Sequence, residues 1–67
     1  MSERLCSCLR DVYRELERMY RESAGLERYM RELREIVNVM EDLGCISGGE
    51  AYEMRRRLSR LERQFKW

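Results

Sequence analysis

The stretch LGCISGGE, residues 43–50, contains three of the four glycines in the 67-residue chain. Gly44 stands where the end of a helix favours a residue in the left-handed conformation. Ser47 and Glu50 have the S-x-x-E spacing of a capping box, which satisfies free backbone amides at the start of a helix. The stretch therefore predicts a helix end followed at once by a helix start, with a turn at residues 44–47.

The sequence before this turn repeats apolar residues at alternating spacings of four and three, a pattern typical of helices that pack side by side. Ser23 is the one polar member of the repeat. The other members are Leu5, Leu9, Val12, Leu16, Met19, Leu26, Met30, Leu33, Val37 and Met40. The unbroken register predicts a continuous helix over about residues 3–43.

A second, shorter helix is predicted after the turn, over about residues 48–66. Ala51, Met54, Leu58, Leu61 and Phe65 repeat the same spacing there. No proline interrupts the chain, and residues of high helix propensity dominate it. The predicted fold is all-α, with one domain over residues 1–67 built as a hairpin of one long and one short helix.

Ser23, Ala24 and Gly25 offer a second place for a turn, because glycine inside a helix costs about 1 kcal/mol relative to alanine. A break at residues 23–25 would give three helices of about 20 residues each, in a monomeric three-helix bundle. The preserved heptad register favours the continuous helix, with Gly25 on its solvent side. The apolar stripe also widens on different sides before and after this point. Before it, the additional residues are Cys6, Tyr13 and Tyr20; after it, they are Tyr29, Ile36 and Leu43 on the other side of the stripe.

The two predicted helices differ in length. A helix over residues 3–43 would be roughly 60 Å long, and the second helix would cover about 27 Å of it. The uncovered half would expose an apolar stripe that soluble monomers rarely show, and a second copy is the simplest cover. We therefore expect a homo-oligomer, with a dimer or a four-helix-type bundle favoured. The expected interface residues are Leu5, Leu9, Val12, Tyr13, Leu16, Met19 and Tyr20.

The three cysteines occur in a chain without histidine. Their odd number and the close spacing of Cys6 and Cys8 argue against a disulfide framework and against a zinc site. No signal peptide is visible, and no apolar stretch approaches the roughly 18 residues of a membrane span. The sequence therefore predicts free thiols and a cytoplasmic protein without a membrane span.

Side chains suited to catalysis are scarce. Histidine is absent, no glycine-rich loop follows a strand, and most carboxylates alternate with arginine at helix-surface spacing. We predict no catalytic site, no metal site and no cofactor.

The second predicted helix is basic, because residues 50–67 contain six basic and three acidic side chains. Arg56, Arg60 and Arg63, with Lys66 beyond them, form a candidate face for nucleic acid or for a protein partner. A solvated face is the simpler alternative, because the helix dipole favours basic residues near a C-terminus and the formal net charge is only +1. Contact with a membrane surface is a further alternative.

The stretch MEDLGCISGGEAYEMRRRLSRL, residues 40–61, resembles the short C-terminal hairpin family of bacterial and archaeal proteins, sometimes called SHOCT. Ala51 separates the glutamate from the aromatic residue of the family pattern, and Gly48 and Gly49 replace its usual acidic pair. The resemblance implies an oligomerisation or recruitment module, not an activity. The matching residues are Gly44, Ile46, Ser47, Glu50, Tyr52 and Leu58.

These observations predict a small self-associating helical protein that acts as an assembly, adaptor or regulatory interaction module. The alternative is a dimeric nucleic-acid-binding regulator that uses the basic face of the second helix.

Overall fold

A computed structural model describes residues 3–66 and contains three α-helices, with no strand in that range. α1 spans Glu3–Glu22, α2 spans Glu27–Asp42 and α3 spans Gly48–Gln64. α1 and α3 both pack against α2, whereas the Cα atoms of α1 and α3 stay more than 8 Å apart. α2 is therefore the central helix of the fold.

One apolar core joins the three helices. The ring of Tyr20 packs edge-on against the ring of Phe65, with 5.3 Å between the ring centroids, and so connects the end of α1 to the end of α3. The fully or nearly buried members of the core are Tyr13, Leu16, Tyr20, Met30, Leu33, Val37, Met40, Ala51, Leu58 and Leu61.

The predicted continuous helix over residues 3–43 is wrong, because the chain turns at residues 23–26. α1 ends in a Schellman motif, in which the amide of Gly25 donates to the carbonyl of Tyr20 at 2.9 Å and the amide of Ala24 donates to the carbonyl of Arg21 at 3.1 Å. Ala24 and Gly25 have positive φ angles of 59° and 89°. The hydroxyl of Ser23 accepts a hydrogen bond from the amide of Leu26. The alternative break at residues 23–25, with three helices, is the one present.

The spacing of apolar residues runs unbroken through this turn, but the buried positions change: Leu5 and Val12 of α1 are exposed, whereas Leu33 and Met40, which continue the same seven-residue series in α2, are buried. Preserved register is therefore compatible with a turn, and the reason for preferring one long helix fails. Gly25, expected on the solvent side, lies instead against the side chain of Phe65, and a Cβ atom there would clash with the Cβ atom of Phe65.

The N-terminal half of the chain is covered by the chain itself, since α1 folds back onto α2. Tyr13, Leu16 and Tyr20 are buried in the core, and Leu9 packs against it. The prediction that these four residues need a second copy to cover them is wrong.

The predicted turn and capping box between α2 and α3 are present. Gly44 has a φ of 80°, and the amide of Cys45 reaches back to the carbonyl of Met40 at 2.8 Å. The amide of Glu50 donates to Oγ of Ser47 at 3.1 Å, and the amide of Ser47 donates to Oε1 of Glu50 at 2.8 Å. These bonds end α2 and start α3 within five residues.

A disulfide joins Cys6 of α1 to Cys45 of the second turn, with 5.4 Å between the Cα atoms. Arg10 adds a hydrogen bond to the carbonyl of Cys45 at 3.0 Å. The prediction of three free thiols is wrong, because α1 folds back and brings two distant cysteines together; Cys8 is the free and exposed thiol. The prediction of a cytoplasmic protein was based on free thiols and on the lack of a visible signal peptide. Disulfides persist mainly in oxidising compartments, so the first of these reasons no longer applies.

Candidate interaction surfaces

An apolar surface remains on the α1–α2 pair after the core is complete. Two lines of side chains form it, each with a spacing of seven residues. We call this surface the hairpin face, and its residues are Leu5, Val12 and Met19 of α1, Tyr29 and Ile36 of α2, and Leu43 at the C-terminal cap of α2.

The hairpin face points away from α3. On α1, Arg10 and Arg14 line a pocket with Arg57 of α3, and Val12 is two residues from each of them. Two residues are about 200° apart around a helix, so Val12 lies on the other side of α1. On α2 the same relation separates Ile36 from Arg34, which contacts α3. Both lines of the hairpin face therefore lie on one side of the molecule.

The hairpin face is accessible to solvent in the monomer. Leu5, Val12 and Leu43 are 44%, 39% and 52% exposed, and the neighbouring Val39 is 41% exposed. The free thiol of Cys8 lies four residues before Val12 and borders the same line of α1. These side chains are far more exposed than the core residues beside them.

The predicted interface residues are divided by this arrangement. Leu5, Val12 and Met19 belong to the hairpin face, whereas the other four predicted residues belong to the core or pack against it. Sequence reasoning did not assign Tyr29, Ile36 and Leu43 to an interface, although the change of flank in the apolar stripe is the signal that marks them.

The outward side of α3 is basic. We call this surface the arginine face; it includes a shallow pocket of about 310 Å³. Arg56 extends over the ring of Tyr52, with 5.9 Å from its guanidinium carbon to the ring centroid, and Tyr52 is 59% exposed. The residues of the arginine face are Tyr52, Arg55, Arg56, Ser59, Arg60 and Arg63, and none of them is acidic.

Two of the three carboxylates of α3 are engaged elsewhere. Glu62 accepts a hydrogen bond from Arg34 of α2 at 3.1 Å, and Glu50 caps the start of α3. The third, Glu53, lines a different pocket beside Arg57. The arginine face therefore receives little neutralisation from its own helix.

Three of the four arginines on this face are free of ion pairs within residues 3–66. The ion pairs of that range involve Arg18, Arg21, Arg34 and Arg55. Arg55 is held by Glu41 at 2.8 Å and by Asn38 at 2.7 Å. Arg56, Arg60 and Arg63 keep their donors available for a ligand.

Lys66 does not join the three arginines with which it was predicted. It lines a pocket near the first turn with Tyr20, Gly25, Glu27, Glu62 and Phe65. The structure thus groups Arg56, Arg60 and Arg63 around one pocket and places Lys66 in the lining of another. It adds the exposed ring of Tyr52, which the sequence did not assign to this face.

A groove between α1 and α3 is lined by both basic and acidic side chains. Arg10 and Arg57 line it together with Glu17, and the ring of Tyr13 forms part of its floor. Burial raises the pKa of Tyr13, Glu17 raises it further, and Arg57 partly offsets this increase. The balance of charge favours no single class of ligand.

Within the described part of the chain, no three histidine, cysteine, aspartate or glutamate side chains cluster in a way that could hold a metal ion. None of the three helices combines the length and apolar composition needed to cross a bilayer, over residues 3–66.

Comparisons with known proteins found no matching family model, no matching curated protein and no matching solved structure. The resemblance to the short C-terminal hairpin family therefore stays a prediction from the residues of the α2–α3 segment.

Proposed function

We propose that this protein is a small helical interaction module that self-associates through the hairpin face, most simply as a dimer. Its role would be in assembly, as an adaptor or in regulation, by binding and not by catalysis. The observation that carries the proposal is the hairpin face itself, in which Leu5, Val12 and Leu43 are exposed and the other members of the two heptad-spaced lines are only partly buried beside the core.

The spacing of these lines supports a helical partner. Side chains seven residues apart present a straight seam to a neighbouring helix, as in side-by-side helix packing. A second copy carries such a seam on its own α1 and α2, and two-fold symmetry matches the two seams to each other. The resemblance to an oligomerisation or recruitment hairpin supports the same role.

The expected affinity is modest. Full burial of a large apolar side chain contributes about 1.5–3 kcal/mol, and these side chains are already half covered in the monomer. Association also costs translational and side-chain entropy. We therefore expect a dimer with a dissociation constant of the order of micromolar.

Sedimentation velocity at about 50 µM tests this proposal, because that concentration exceeds a micromolar dissociation constant. The wild-type protein should sediment as a dimer. Val12→Glu places a carboxylate in the hairpin face and should give a monomer with unchanged helicity by circular dichroism. Tyr52→Glu is the matched control, since it places the same carboxylate on the exposed side of α3, and it should remain a dimer.

Two results would contradict the proposal. One is a wild-type protein that stays monomeric at this concentration. The other is equal dissociation of both variants, which would show that added negative charge, and not the position on the hairpin face, controls association.

A further inference from the structure

The geometry points to a second binding site: the arginine face of α3 binds single-stranded nucleic acid, with arginines on the phosphates and the ring of Tyr52 beneath a base. This inference goes beyond self-association and does not depend on it, because the arginine face and the hairpin face occupy different sides of the molecule.

The charge of the site fits a polyanion. Arg56, Arg60 and Arg63 lie on one side of α3, and their backbone positions span about 10 Å along the helix axis. They are exposed and free of ion pairs within the described residues. Guanidinium groups bind phosphate oxygens in a bidentate manner, so a line of them follows a phosphodiester backbone.

The aromatic residue distinguishes a single strand from a duplex. Tyr52 is 59% exposed, so its ring does not serve as a core residue. It extends the row of Arg56, Arg60 and Arg63 toward the start of α3. Proteins that bind single strands combine a basic track with aromatic rings on which unpaired bases stack. Bases inside a duplex present no free ring face to such a side chain.

Other anionic partners fit the site less well. A membrane-surface helix needs a broad apolar side below its basic residues, and Tyr52 is the one large apolar side chain on the arginine face. The apolar side of α3 is already used, because Ala51, Leu58 and Leu61 are buried in the core.

Fluorescence anisotropy with a labelled, unstructured DNA single strand of about 20 nucleotides tests the inference at 50 mM salt and above. The wild-type protein should bind with a dissociation constant of about 1–100 µM, and salt should weaken the binding. The variant Arg56→Gln/Arg60→Gln/Arg63→Gln should bind more than about tenfold more weakly. Its slope of log affinity against log salt should be smaller by about 2, for three lost phosphate contacts on a single strand.

A matched control removes the same charge elsewhere. Arg4→Gln/Arg18→Gln/Arg28→Gln lowers the net charge by three on α1 and α2, and it should keep most of the affinity. Tyr52→Ala should cost about fivefold or more with little change in the salt slope, since stacking on a base is not an ionic contact.

Several outcomes would overturn the inference. These are no binding of the single strand at 50 mM salt, equal loss of affinity in the two triple variants, and tighter binding of a duplex of the same length. Flotation with vesicles that contain phosphatidylserine tests whether the arginine face binds a membrane surface instead. Capture by these vesicles without binding of the oligonucleotide would assign the arginine face to a membrane surface.

Discussion

Gly25 lies where the first turn meets the end of α3. Its φ of 89° is one that side chains disfavour, and Phe65 occupies the space that a Cβ atom would need. Gly44 has a similar φ of 80° in the second turn, but no atom lies within 4 Å of the position that a Cβ atom would take there. The two glycines therefore separate the cost of a left-handed backbone from the cost of a steric clash.

We expect Gly25→Ala to destabilise the protein by about 2–4 kcal/mol, because the strain of the left-handed backbone adds to overpacking against Phe65. Gly44→Ala is the control and should cost about 1–2 kcal/mol, from backbone strain alone. Urea unfolding followed by circular dichroism measures both. Equal costs would show that Phe65 does not pack over Gly25.

Tyr20 and Tyr13 are the buried titratable side chains of the core. Burial is the main cause that raises the pKa of each, and a nearby carboxylate adds to it, Glu62 for Tyr20 and Glu17 for Tyr13. A raised pKa means that the folded protein holds these protons more tightly than the unfolded chain does. Near neutral pH both states keep these protons, so stability does not depend on pH there. Above pH 10, the ordinary pKa of tyrosine, the unfolded chain loses them more readily, which favours unfolding.

The free energy of unfolding should accordingly fall as pH rises above about 10, by up to about 1.4 kcal/mol per pH unit for each buried tyrosine. Tyr20→Phe should flatten this decline, whereas Tyr52→Phe changes an exposed ring and should not. A Cys8→Ser background prevents thiol exchange at alkaline pH. An identical decline in the Tyr20→Phe variant would show that the hydroxyl of Tyr20 is hydrated and that its burial does not raise the pKa.

The two turns show how far local sequence determines this fold. The second turn is predictable because Gly44 and the Ser47–Glu50 capping box act within a few residues, and each residue type has a specific backbone role. The first turn places alanine, not glycine, in the left-handed position of its Schellman motif, so the usual signal is missing. The four residues of this turn also leave the seven-residue spacing of apolar residues unbroken, so the spacing does not mark the turn.

The disulfide could not be predicted from cysteine spacing, because it depends on the first turn. Cys6 and Cys45 are 39 residues apart and meet only after α1 folds back onto α2. The bond holds the start of α1 against the second turn, at the opposite end of the α1–α2 pair from the first turn. It therefore restricts separation of α1 from α2.

Removal of this bond in Cys6→Ser/Cys45→Ser should lower the free energy of unfolding by about 2–4 kcal/mol, since a long loop is no longer closed in the unfolded chain. Amide hydrogen exchange should increase most in the first turns of α1. Cys8→Ser is the matched control and should change stability by less than about 0.5 kcal/mol. Equal stability of the two variants, or a peptide map that links Cys8 to another cysteine, would contradict the pairing.

The molecule as a whole carries two different surfaces on different sides of one core. Helical periodicity alone groups Arg56, Arg60 and Arg63, so their alignment was predictable. Their lack of ion pairs with the other helices within residues 3–66 was not, because it depends on where the packing of α1 and α2 places their carboxylates. The hairpin face was predictable in part, since Leu5, Val12 and Met19 belong to the heptad repeat, but its second line required the packing of α2 beside α1.

The proposed function depends on self-association through the hairpin face. Amide chemical shifts recorded by NMR from about 10 µM to about 1 mM test it most directly, because a micromolar dimer changes population over that range. We predict concentration-dependent shifts around Leu5, Val12 and Met19 and around Ile36 and Leu43, with the amides of Arg56–Arg63 unchanged. Shifts that do not depend on concentration, or that concentrate on the outward side of α3, would contradict the claim.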